Sequence, residues 1–174
     1  MRATSLTVAA LAAALLLTAC DDGGNGGSGK DSKAGSTCAE TLDVQFGPAN
    51  AAPVAGDTGN VPVTITNGGS AECTLEGLPA IEFDAGSTVA TVGPDADAGA
   101  KKTTLAKDAA TSFVLTYVRG EGGGTKSLAV RQVKIHLSGK GKARAFKWSY
   151  GDVALKSDGQ TPDASVSGFQ KSGD

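Results

Sequence analysis

The chain has 174 residues, three cysteines, one histidine and a formal net charge of −2, with 40% hydrophobic residues and 25 glycines. That length suits one domain with its own core, and the near-neutral balance argues against a dedicated nucleic-acid binder. A lone histidine and a lone methionine, Met1, leave little room for imidazole or thioether chemistry.

In chain order, the first element is an export signal. Arg2 precedes an apolar run from Leu6 to Leu17, a charged start followed by a short hydrophobic core. The run is well below the ~20 residues that span a bilayer as a helix. Its ending, Leu17-Thr18-Ala19-Cys20, resembles the lipobox of bacterial lipoproteins. The resemblance implies removal of residues 1–19 and acylation of Cys20 with palmitate-type chains, a stable anchor when two or more chains are attached. A plain secretory signal is the alternative. The expected location is the extracytoplasmic face of the cell membrane.

Residues 20–37 then form a Gly/Ser-rich stretch without a large apolar side chain. Such a segment behaves as a flexible coil of roughly 20–25 Å end to end, and is expected to tether the domain to the membrane. Location bears on the remaining thiols: outside the cytoplasm, an even pair of cysteines reads as a disulfide. With Cys20 acylated, Cys38 and Cys73 have only each other, and their crosslink would stabilise by about 3–4 kcal/mol. A catalytic thiol would need a base and only His136 is present, while zinc would need four ligands. Free thiols are the remaining alternative.

Residues 38–169 read as one all-β domain, with 170–174 a frayed tail. Alternation with period two marks half-buried strands. It places Leu42, Val44 and Phe46 on one face, then Val61, Val63 and Ile65, with Pro62 suggesting an edge or a strand start. Ile81 and Phe83 follow, then Thr88–Val92, then Phe113, Leu115 and Tyr117. Val133, Ile135 and Leu137 precede Phe146, Trp148 and Tyr150, and a last short strand is expected over Asp152–Lys156. From Ser157 onward the chain is polar and expected to fray, with Val166 and Phe169 able to dock. No window has a helical pattern. Many short strands separated by turn residues predict an immunoglobulin-like β-sandwich, with a small β-barrel as the alternative.

The stretch from Thr66 to Phe83, "TNGGSAECTLEGLPAIEF", resembles a family of secreted actinomycete domains of unknown function, many carried on lipoproteins. The matching positions are Cys38, Thr66, Asn67, Gly68, Gly69, Cys73, Leu75, Gly77, Leu78, Pro79 and Phe83. Leu78 departs from the aromatic residue expected there. Leu105–Val118 resembles that family's following loop and strand. The likeness implies an immunoglobulin-like sandwich with a Cys38–Cys73 bridge, and it implies no activity. The residues also read as structure on their own: Asn67-Gly68-Gly69 suits a turn needing positive φ, and Gly77-Leu78-Pro79 suits a bend.

Motifs of enzymes fit poorly. "RGEGGGTKSL" lacks the glycine before Lys126 that a phosphate-binding loop requires. Asp95 and Asp97 open like a calcium loop, yet Ala100 and Ala106 stand where Gly and Glu are needed. Alternation turns His136 away from the core, and Glu82 and Asp84 make no glycosidase pair by spacing alone. No catalytic residue, metal site or cofactor is expected.

One asymmetry stands out. Between Lys126 and Gly151 lie Lys126, Arg131, Lys134, Lys140, Lys142, Arg144 and Lys147, with no acidic residue. They are the candidate surface for anionic wall polymer, lipid head groups or another envelope protein; a solubilising, pairing-resistant face is the competing reading. The functional expectation is a non-catalytic, monomeric, lipid-anchored binding module of the cell envelope. A structural spacer is the alternative, and an enzyme with an unrecognised site a more distant one.

Overall fold

The computed structural model describes residues 38–137 and 142–171. The expected signal peptide, Cys20, the expected tether, Lys140 and residues 172–174 lie outside them. A helical turn, α1 (Cys38–Thr41), leads into β1 (Leu42–Phe46), β2 (Thr58–Asn67), β3 (Cys73–Gly77) and β4 (Ala80–Asp84). Next come β5 (Val89–Pro94), β6 (Lys101–Leu105), β7 (Ala110–Val118), β8 (Ser127–Leu128) and β9 (Gln132–His136). β10 (Arg144–Lys147), β11 (Val153–Ala154), β12 (Ala164–Val166) and β13 (Gln170–Lys171) complete the described chain.

The all-β class expected from the alternation is what the chain adopts. Val61, Val63 and Ile65 are fully buried, as are Ile81 and Phe83, Phe113, Leu115 and Tyr117, and Val133 and Ile135. Each set lies on one face of its strand because successive side chains point to opposite sides. Only Val92 of the Thr88–Val92 stretch joins the core, and Val89 is exposed.

Eight strands follow one hydrogen-bonded path, β1-β2-β7-β12-β5-β4-β9-β10, with β13 also on β7. The path turns a corner within β5: Val89–Val92 pairs with β4, whereas Gly93 and Pro94 pair in parallel with β12. The sheet therefore curls towards closure in a barrel-like way. Its end strands, β1 and β10, approach through side chains, with Phe46 and Phe146 stacked at 5.4 Å. Two short ribbons, β3–β6 and β8–β11, stand apart from the path.

Pro62 lies inside the sheet, not at an edge, because β2 has β1 on one side and β7 on the other. Its carbonyl accepts from Gly47 N at 2.9 Å. The missing N–H therefore points to the turn beyond the end of β1, and the ladder to β7 loses nothing. The segment after Ser157, expected to fray, instead inserts β12 between β7 and β5. Val166 and Phe169 are buried there, Phe169 packing edge-on to Phe113. The ladder also runs past Phe169, with Gln170 opposite Ser112.

One end of the core is aromatic. Trp148 packs edge-on against Phe83, Tyr117 and Tyr150, and its indole N–H donates to Gly151 O at 2.6 Å. The Tyr117 hydroxyl accepts from Ala52 N and donates to Tyr150 O, both at 3.3 Å, so its polar tip is satisfied inside the core. Gly59 is where a side chain cannot go: a Cβ there would lie 2.4 Å from the Tyr117 ring.

Candidate functional site

The end of the domain at which the described chain begins is the most heavily constrained. Cys38 and Cys73 form a disulfide with their Cα atoms 5.3 Å apart, which pins α1 to the start of β3. Beside it, Asn67 is fully buried at the end of β2. Its amide nitrogen lies within hydrogen-bond distance of three carbonyls, Ala71 at 2.8 Å, Leu105 at 3.0 Å and Ala106 at 3.2 Å. Its side-chain oxygen accepts from Gly69 N at 3.0 Å, and its backbone meets Ala109 O and Asp108 N. One side chain thus ties together the end of β2, the turn before Cys73 and the turn after β6.

The turn glycines here act differently from the sequence expectation. Neither Gly68 nor Gly69 has positive φ; in these turns that conformation falls to Asp108, at 61°, and to Gly77, at 84°. Gly69 is needed for space, because a Cβ would lie 2.9 Å from Thr41 Oγ1. Gly77 supplies the bend expected ahead of Pro79. The Thr-Asn-Gly-Gly…Cys pattern is a closely packed knot linking four segments, and chain pattern alone did not reveal its centre. A buried asparagine between two strands is the signal that points to it.

The six described basic residues are not all brought to one surface. Lys126 lies at the Val118 end of β7, near Arg119, on an open depression of ≈ 490 Å³. Lys140 lies outside the described residues. Arg144 stands opposite Ile135, a core residue, so it shares the inward face of β10 with Phe146. Its guanidinium donates to Ala39 O at 3.2 Å and Leu42 O at 3.1 Å, which spans the gap between β10 and β1. Lys134 pairs with Asp84 at 2.8 Å, and Arg131 lies over Gly86. Lys142 and Lys147 are exposed.

The outer face of β4 and β9 is charge-balanced. Lys134 lies opposite Glu82, and Asp84 opposite Gln132. The Lys134 ammonium, and then the Gly86 N–H, hold the Asp84 carboxyl below its ordinary range. Reciprocally, the hydrogen bond to Asp84 raises Lys134. His136 reaches towards Glu82 at 3.5 Å; its side chain is 39% exposed, while Nε2 itself is buried without a hydrogen-bond partner. Asp95 N and Ala98 N are taken up by Val166 O and Asp95 O within an ordinary turn. Among the described residues, no three His, Cys, Asp or Glu side chains are grouped to hold a metal. No helix among them is long and apolar enough to cross a membrane.

The model of a family described as Domain of unknown function (DUF4232) matches residues 38–170. Its span coincides with the folded body from the first disulfide cysteine to β13. Neither a curated protein nor a solved structure matches the chain.

Proposed function

The chain belongs to the DUF4232 family, and on that premise we propose that it is a lipid-anchored, extracytoplasmic, non-catalytic binding module of the cell envelope. The Cys20 lipobox and the tether over 20–37 supply the anchoring half of the proposal, in keeping with the likeness to actinomycete lipoprotein domains. For the architecture, we read the corner at Gly93 as the fold line of an immunoglobulin-like sandwich, β1-β2-β7-β12 facing β5-β4-β9-β10.

The single observation that supports the binding half is where the start of β10, within the basic run, lies. Arg144 reaches Ala39 and Leu42, immediately after the tether enters the domain at Cys38. Lys142 is exposed beside it, and Lys107 stands on the turn that Asn67 holds at the same end. Cations on the end from which a membrane tether leaves would meet an anionic leaflet or wall polymer, at about 1 kcal/mol each near the charged surface. The internal partners of Lys134 and Arg144 favour the second reading, a spacer whose charges serve solubility and folding.

Two measurements separate these. Mass spectrometry of protein from native membranes should find acyl chains on Cys20, and Cys20→Ser should release the chain to the soluble fraction. Co-sedimentation with phosphatidylglycerol vesicles should fall as salt rises, and should weaken about a hundredfold or more when Lys107, Lys140 and Lys142 are changed to Glu. An unacylated Cys20 would remove the anchor. Binding indifferent to salt and to the reversals would leave the spacer.

A further inference from the structure

We propose that the cleft between β6 and β13 takes an extended, acidic polypeptide segment by strand addition, a site separate from the basic run of Lys126 to Lys147. β6 pairs with β3 on one side; among the described residues its other edge has no strand partner. β13 pairs with β7 on one side, and its other edge is likewise without a strand partner among them. The two edges meet where Gly168 packs on Gly99, a Cβ at Gly168 lying 3.1 Å from Gly99 O. Beyond that point they diverge around a cleft of ≈ 980 Å³. Its apolar floor is Leu105 and Phe169, both buried.

Strand addition is a recurring mode of peptide recognition, in which main-chain hydrogen bonds give affinity and side-chain pockets give selectivity. β6 offers the right template: five residues, about 17 Å of strand. Part of the β13 side is already engaged, since Thr111 Oγ1 donates to Gln170 O at 2.6 Å, so the β6 edge carries the ladder. The lining contains Lys101 and Lys102 and no acidic residue. Glu76 outside the lining reaches Lys102 at 3.3 Å, but both side chains are 68% exposed, and such a pair yields readily to another carboxylate. Lysines along an open edge oppose pairing with a second copy of themselves. An acidic strand turns that repulsion into attraction across the ladder.

The test uses the full chain in non-ionic detergent and a short synthetic peptide alternating valine and glutamate. Hydrogen exchange should slow at amides of Lys101–Leu105 when the peptide is added. Lys102→Gln, which places no like charge opposite Glu76, should weaken binding about threefold, with unchanged thermal unfolding as the control for folding. Two peptide controls need no variant: glutamine in place of glutamate should weaken binding similarly, and N-methylation of alternate peptide amides should abolish it. The proposal is overturned by absence of binding, by protection confined to other strands, or by equal binding of the N-methylated or glutamine peptides. Concentration-dependent self-association that protects the same amides would also overturn it, by identifying the occupant as a second copy.

Discussion

The guanidinium of Arg144, at the start of β10, donates to the carbonyl of Leu42, at the start of β1, across 3.1 Å. With the bond to Ala39, it is a polar link between the two ends of the sheet path, alongside the stacked Phe46 and Phe146. Charge-assisted hydrogen bonds to half-buried carbonyls are worth more than neutral ones. Arg144→Ala should therefore cost about 1–3 kcal/mol in urea unfolding. Arg144→Lys should recover part of this, because both bonds come from the single nitrogen Nη2 and an ammonium also offers three N–H donors, though on a shorter side chain. Lys142→Ala and Lys147→Ala, on exposed positions, should stay within about 0.5 kcal/mol of the parent. Equal effects at all of these positions would show that the seam carries no particular load.

Asn67 is the most exacting polar residue in the fold. Asn67→Ala strands the Gly69 N–H and removes the two amide N–H donors that three nearby carbonyls share. The cost should be about 3–5 kcal/mol, at the upper end for one substitution. Asn67→Asp should be worse still, since a carboxylate would face carbonyl oxygens. Denaturant midpoints check both, and an Asp variant as stable as the parent would refute the hydrogen-bond assignment.

The Cys38–Cys73 crosslink closes a loop with a sequence separation of 35. Its removal by paired Ser substitution should lower stability by about 3–4 kcal/mol in the chain-entropy treatment. Reduction of the parent protein should match the double variant, and should leave the variant itself unaffected. A reductant that does not shift the parent's unfolding curve would argue against the contribution.

Acid sensitivity should have an identifiable source. The Thr161 hydroxyl, followed by the backbone N–H groups of Thr161 and Gln160, lowers Asp158 to about 2. A depressed carboxyl contributes stability in full above its unfolded value near ~4 and loses it as pH falls through the folded value. Asp158→Asn should thus be less stable than the parent at neutral pH, with the gap narrowing between pH ~4 and ~2. Asp84, lowered first by Lys134, predicts the same direction for Asp84→Asn. Thermal midpoints against pH give the answer; a gap that stays constant down to pH ~2 would contradict the assignment.

Much of the core was legible because a strand's side chains alternate with period two, and the alternation of Val61, Val63 and Ile65 or of Phe113, Leu115 and Tyr117 has no helical equivalent. β12 was not legible: three residues, only two of them buried, are too few to show a period, and their pairing partners lie far away in the chain. The basic run was legible as composition and misleading as geometry. Its members divide according to strand register, which turns Arg144 inward and leaves Lys147, three positions on, outward.

What the amino-acid order determined by itself was local: the strand faces and the bend at Gly77. Only the tertiary structure decided where Arg144 points, what Asn67 holds, and that β6 and β13 leave a cleft between them. The reason is physical: side-chain alternation is set by neighbouring residues, whereas a hydrogen bond to a distant carbonyl, or the gap between two edges, depends on how strands remote in sequence come to lie side by side.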